Sequence, residues 1–562
     1  MAGPTKAGGR IGYGLRSIVR HSLATLLATT ALGGVTAHAV DGTWTGGSSD
    51  WTAPTNWSSN PSVPNGTATF ANPGSTAVDN NNGAVSIGTI QFANTSQAYT
   101  FTIGNPFIVN GTGIINNDTV NTQNFEVTSG NNLVFQNSST ASGGAGIVII
   151  TNDVGGNVNF IQISTAGTAR LINNGVVTFG NSASAGSATI TTNNGATTNF
   201  TGAATGGSAR FIANAGGTVD ISGLTSGGMT AGSIEGAGNY VLGANTLSTG
   251  SLNTSTQVDG IISGTGGLTK VGTGTLTLAG TNTYTGATTI SAGTLAISGF
   301  GSISSSSVVT VDATFDISAS AVPFNAITTL AGSASGVVNM GGNGLVITNG
   351  STEFAGVIQG TGGIEVFGGT QTLSGVNTYS NATQIDAGAT LAMKGAGSIA
   401  NSAFVSFSAA NATLDVSQTT SGTSVRGLGS PAGSGIVALG SKTLTITSGS
   451  VFGGVIRDGG IAGGSGGGIV ISAGAVQALG GVNTYTGATT IQALGELDLV
   501  NSGGDRRQHR DLEQCHCQWH LGHHGLEHWH LDQIAVGLGQ RQSRRQHADD
   551  HERQRHLRGC DR

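Results

Sequence analysis

Histidine and cysteine are missing from most of this 562-residue chain. Neither occurs between Val40 and Gly503; the 3 cysteines, Cys515, Cys517 and Cys560, lie beyond that body, and of the 12 histidines only His21 and His38 precede it. Such a body forms no disulfide and offers no thiolate or imidazole ligand to a metal. It also lacks the near-neutral base that Ser-His-Asp and Cys-His nucleophile systems require, which excludes hydrolases of those types.

Charge is the second scarcity, at 9% of residues. The body's cations are Arg170, Arg210, Lys270, Lys394, Arg426, Lys442 and Arg457, outnumbered by scattered carboxylates. An acidic body has no electrostatic term for a phosphate backbone, so nucleic acid is excluded as a partner. Glycine, by contrast, numbers 96. Val, Ile, Leu and Phe recur regularly between Gly/Asn turns and supply apolar area to bury, so the composition predicts repetition, not disorder.

The repetition is explicit at residues 264–299, GTGGLTKVGTGTLTLAGTNTYTGATTISAGTLAISG. Alternation predicts three short strands, Thr275-Leu276-Thr277-Leu278, Thr288-Thr289-Ile290 and Thr294-Leu295-Ala296-Ile297, parted by turns. Copies recur at 360–395, around Val376-Asn377-Thr378-Tyr379, and at 466–500, around Val482-Asn483-Thr484-Tyr485-Thr486-Gly487. This pattern resembles the autotransporter-associated β-strand repeat of bacterial type V passenger domains, over about a fifth of the chain. The resemblance implies a passenger region, and a part for the repeats themselves in transport.

The chain opens with Lys6, Arg10, Arg16 and Arg20, an apolar run from Leu23 to Leu32, and Ala37-His38-Ala39. That reads as a secretory signal peptide over 1–39, cleaved before Val40; the run is too short to cross a bilayer comfortably. Residues 40–110 hold Trp44, Trp51 and Trp57 and read as an end cap over the first coil, with a sugar-stacking platform as the alternative. From 111 to 240, Phe135, Phe160, Phe179, Phe200 and Ile221 recur at steps of one solenoid coil, with corners such as Asn173-Asn174-Gly175 and Asn193-Asn194-Gly195. The stretch 241–503 carries the three repeats. A longer unit overlies them, because Val219-Asp220-Ile221-Ser222 returns as Phe315-Asp316-Ile317-Ser318 and Leu414-Asp415-Val416-Ser417. The predicted fold is therefore all-β, a parallel β-helix (β-solenoid) of roughly 20 coils about 4.8 Å apart. The crossover rule and the resemblance both favour right-handed coiling.

After Gly503 the composition changes abruptly. Cys515, His516, Cys517, His520, His523, His524, His528 and His530 crowd together, the residue types of a metal site without any recognised ligand spacing. Residues 514–525, QCHCQWHLGHHG, back-translated and read one nucleotide later, permit NVTVNGTLDIT, matching VVTVDATFDIS at Val308 to Ser318. The same shift of 546–560 permits NTLTITNGSGTFAGV, in the register of Asn343 to Val357. We read 504–562 as repeat sequence out of frame and expect it to be disordered. No run of alternating ten-residue strands with aromatic girdles follows, so a translocator barrel is not expected within the chain.

No catalytic, cofactor-binding or metal residue is assigned. Asp220, Asp316 and Asp415 occupy equivalent places in the long unit and are expected several coils apart, as turn or strand-end residues and not as a catalytic pair. Lys270 and Lys394 are expected on solvated faces. Gly272-Thr273-Gly274 and Gly427-Leu428-Gly429 open no helix and lead to no phosphate-loop lysine. The reading is a non-enzymatic, cofactor-free autotransporter passenger, structural or adhesin-like. Its expected partners are the outer-membrane translocation machinery and the glycans or proteins of host or neighbouring cells. It is expected at the cell surface or outside for the intact gene product, and in the periplasm if truncated as written. The alternatives are a secreted carbohydrate-active β-helix enzyme, if two carboxylates converge in one groove, and a metal-binding protein through the His/Cys tail.

Overall fold

The structure is a computed structural model that describes residues 39–71 and 74–500, with two short strands at 515–517 and 555–557. The signal peptide and nearly all of the His/Cys tail lie outside the described residues. Between Gly42 and Leu499 the chain forms a parallel β-solenoid of about 21 turns, with three faces per coil. The first face is a 12-stranded sheet from Gly42–Thr43 to Ile262–Gly264 and the second an 8-stranded sheet from Ala77–Asp79 to Ser233–Glu235. The third begins as single bridges, Thr140 to Thr165 to Ser184 to Thr205, and becomes a sheet at Gly228–Ala231.

Inward positions alternate with outward ones along every strand, so like residues meet in register. Phe135, Phe160, Phe179 and Phe200 pair strand to strand and stack face to face, with ring centroids 4.8, 4.7 and 4.8 Å apart. Their spacing is set by the backbone ladder, and their burial fills the interior that Gly-rich corners leave open. The two predicted corners work differently. Gly195 takes φ +75°, which only glycine adopts freely, whereas Gly175 provides clearance, since a Cβ there would stand 2.4 Å from the Gly156 carbonyl.

The tryptophans are interior residues. Trp44, Trp51 and Trp57 are all at least 98% buried, packing edge to face at 4.9 and 4.8 Å and against Phe70 of the first coil. Trp57 Nε1 donates to the Trp51 carbonyl and Trp44 Nε1 to that of Ser75. No ring face is open, which overturns the sugar-stacking alternative: these rings cover the first rung.

The long unit has a structural meaning. Each Asp-containing motif lies in a 7-residue strand, Thr218–Leu224, Thr314–Ser320 or Thr413–Thr419. Directly after the aspartate an extra residue enters and the register shifts. A β-bulge of this kind bends the strand. A new sheet then starts at Gly228, Phe324 and Thr423, steps of 96 and 99 residues. The three sheets lie on the third, first and second faces in turn, so each unit moves the sheet-starting event round by one face.

At the far end, Cys515–Cys517 pairs in parallel with Thr489–Ile491. The strand at 555–557 pairs antiparallel with Glu496–Leu499.

The stack yields a prediction. Phe160→Ala removes one ring from between two others and is expected to cost about 4 kcal/mol in a denaturant titration, while Val154→Ala, at an exposed corner, is expected to change nothing measurable. Equal effects of the two would refute the stacked interior.

Candidate functional site

The residues that make the repeat recognisable sit where the sheets are interrupted. After Ile262–Gly264 the first face has no regular strand until Phe324–Ile327, and in that gap lies Asn282-Thr283-Tyr284. Backbone N–H groups of Thr283 and Tyr284 both donate to the Ile262 carbonyl. The Asn282 side chain does the rest: Oδ1 accepts from Ile262 N at 2.9 Å, and Nδ2 donates to the carbonyls of Gly280 and Ser302 at 2.9 and 3.1 Å. An asparagine amide carries the same donor and acceptor as a peptide group, so it continues the ladder sideways across the gap.

Tyr284 completes the arrangement. Its hydroxyl lies 2.7 Å from Thr288 Oγ1, which bonds Ser306 Oγ one coil further on at 2.9 Å. All three groups are buried, and burial pushes the phenol of Tyr284 up in pKa, so it remains neutral.

The second copy repeats this on the second face, atom for atom. Asn377 bonds Ile358 N and the carbonyls of Gly375 and Ser398, and Tyr379, Thr383 and Ser402 form the same chain. In the third copy, on the third face, Asn483 accepts from Ile456 N at 2.8 Å and Tyr485 meets Thr489 at 2.5 Å.

The aspartates of the long unit belong to the same scaffold. Asp220, Asp316 and Asp415 each accept the N–H of the serine two residues on, at 2.8, 2.8 and 2.9 Å. That N–H is displaced from the ladder by the bulge, so the carboxylates clamp bulges inside strands; they are not turn residues. They lie on the first, second and third faces respectively and do not converge.

Lys270 departs from its expected place. It is 1% exposed, at an inward position where the other copies have Val366 and Ile471, and its ammonium donates to the carbonyls of Val271, Gly272 and Ala292 at 2.7, 2.8 and 3.2 Å. Burial pulls its pKa down to about 8. Lys394 is on the surface as expected and pairs with Glu353 at 2.6 Å.

One pair of carboxylates does meet. On the outward side of the first face, Gln384 Nε2 donates to Glu365 Oε1 at 3.4 Å and to Asp386 Oδ1 at 2.9 Å. Burial, together with Asp386 beside it, raises the pKa of Glu365. Their 21-residue separation is about one coil, a signal the sequence contained. Exposed Phe367 follows Val366 of the same strand. The pair sits on the outward side of the sheet, bridged by the Gln384 amide.

Two predictions follow from these networks. Asn377→Ala strands the Ile358 N–H and takes one of two donors from each of the Gly375 and Ser398 carbonyls, and is expected to lose about 2 kcal/mol, against about 1 kcal/mol for Tyr379→Phe, which removes a single bond; thermal melts that reverse this order would contradict the bridging role. Lys270 also makes stability depend on pH. Between about 8 and its ordinary 10.5 the unfolded chain holds a proton that the folded chain has released, so stability rises with pH across that window and is constant below it. Relative to Lys270→Met, the wild type is expected to gain about 1.4 kcal/mol per pH unit there, measured by urea unfolding at fixed pH values.

Comparison with known proteins adds one finding. The passenger-associated-transport-repeat family model matches residues 268–297, 368–393 and 476–497, each inside a copy read from the sequence. No curated protein and no solved structure matches. Repeats of this family on a β-solenoid fit an autotransporter passenger domain and imply a secreted or cell-surface protein. The networks built on Asn282, Asn377 and Asn483 are thus the structural content of the three segments that match the passenger-associated-transport-repeat model, and these matches are consistent with an autotransporter passenger repeat protein.

Proposed function

We propose that this protein is the exported passenger of a type V autotransporter, a structural and adhesin-like rod whose repeats assist its own passage across the outer membrane. The observation that carries the reading is the placement of the three repeats. Each caps the last strand of a sheet with an asparagine-centred network, so the motif keeps that edge hydrogen-bonded across the coils on which the face has no regular strand. A chain emerging unfolded through a pore needs such points, because every new parallel strand requires a formed edge to pair with.

The remaining features agree. Without cysteine between Val40 and Gly503 the body crosses an oxidising compartment with no crosslink to bar its threading. The buried tryptophans cover one end of the solenoid. The partners in this reading are the translocation machinery and, at the surface, glycans or proteins of other cells. The role is structural, not enzymatic.

The test is a secretion assay on the chain joined to a translocator barrel. Removing 360–395, or replacing both Asn282 and Asn377 with Ala, is expected to lower the surface-exposed fraction several-fold and to leave unfolded chain in the periplasm. Export at the wild-type rate in both would exclude a part for the repeats in secretion.

A further inference from the structure

The second face holds two of the body's few cations in a single column. In register, Ile149 pairs with Arg170, Arg170 with Thr189, and Thr189 with Arg210. The two guanidinium groups therefore stand two rungs apart on the same outward line, about 10 Å. Among the described residues two ion pairs form, Arg210 with Glu235 and Lys394 with Glu353, so Arg170 has no carboxylate partner. Arg210 uses Nε toward Glu235, which fixes its plane and leaves both Nη groups to another acceptor.

The surface around them is hollowed. A depression of about 410 Å³ lies between Arg170 and Arg210, floored by Thr189 and Thr191 and edged by Ile149 and Ile172. A second, of about 580 Å³, adjoins the other side of Arg210 and runs past Gln257 to Thr277. The first is half open and the second nearly flat, and together they make a shallow strip along the second face.

We propose that this strip binds an extended carboxylated polysaccharide, with Arg170 and Arg210 holding acid groups two sugars apart. This rests on the reading of the protein as a surface passenger and specifies what one face of it recognises. A linear 1,4-linked sugar chain advances close to one rung spacing per ring, so a polymer lying along the solenoid axis stays in step with the coils. Guanidinium groups take carboxylates through paired N–H donors. The threonine hydroxyls between them donate to and accept from sugar hydroxyls, and the isoleucines cover ring C–H surfaces. The acidic remainder of the body, including Glu235 at the edge of the second depression, repels a polyanion and confines it to the span from Arg170 to Arg210.

The experiment is calorimetric or biolayer titration of the purified protein with polygalacturonate, and in parallel with a neutral glucan and with polyglutamate. The expected result is binding to polygalacturonate alone, weakened by about tenfold in Arg170→Gln and in Arg210→Gln, reduced further in the double variant, and reduced by added salt. Lys394→Gln, on the third face, is expected to bind as the wild type. Both arginines are surface residues, and unchanged thermal melts confirm that the variants are folded. No binding by the wild type, equal binding by the variants, an equal loss in Lys394→Gln, or equally tight binding of the glucan or of polyglutamate would each overturn the proposal. None of these depends on export, so the site and the secretion role fail separately.

Discussion

Backbone hydrogen bonding from one coil to the next is the constraint on which everything else in this protein depends. Each parallel strand satisfies its N–H and C=O groups only through its two neighbours, and no coil is complete alone. That forces equivalent residues into vertical columns. Phenylalanine stands on phenylalanine from Phe135 to Phe200 because the ladder pins their Cα atoms in register. It also explains the composition. A fold stabilised by neighbour-to-neighbour contacts has little use for disulfides or ion pairs, and its corners select glycine where φ is positive or another backbone passes close.

Where the ladder is interrupted, side chains take over its chemistry. Asn282 and Asn377 supply an amide where a peptide group is missing. Asp220, Asp316 and Asp415 supply an acceptor to the N–H that a bulge displaces. Lys270 supplies three donors to carbonyls at the end of its strand. All of these side chains complete backbone valences that an interrupted ladder leaves open.

Much of this was legible in the sequence. The alternation in 275–278 and 288–290 appears as strands with those bounds, because inward and outward residues differ in polarity there. The steps of 96 and 99 residues were also readable, but not their meaning. A step that is not a whole number of coils turns the motif onto the next face, and coil length varies too much for the sequence to reveal the remainder. Lys270 was misplaced because its charge suggested solvent. Comparison with Val366 and Ile471, its counterparts in the other copies, carried the contrary signal. Glu365 and Asp386 were missed because nothing local in the sequence joins residues one coil apart. The Arg170 and Arg210 column escaped for the same reason, since it exists only once the register is known.

The rotation of the sheet gaps has a geometric outcome. The three Asn-x-Tyr segments interrupt the first, second and third faces in turn, so after three units the motif has visited every side of the prism. Whatever the interrupted coil presents outward is displayed around the whole circumference, as on a screw thread and not along a keel. A rod decorated in this way has no preferred azimuth, and meets a neighbouring surface with an equivalent coil whichever way it is turned about its axis.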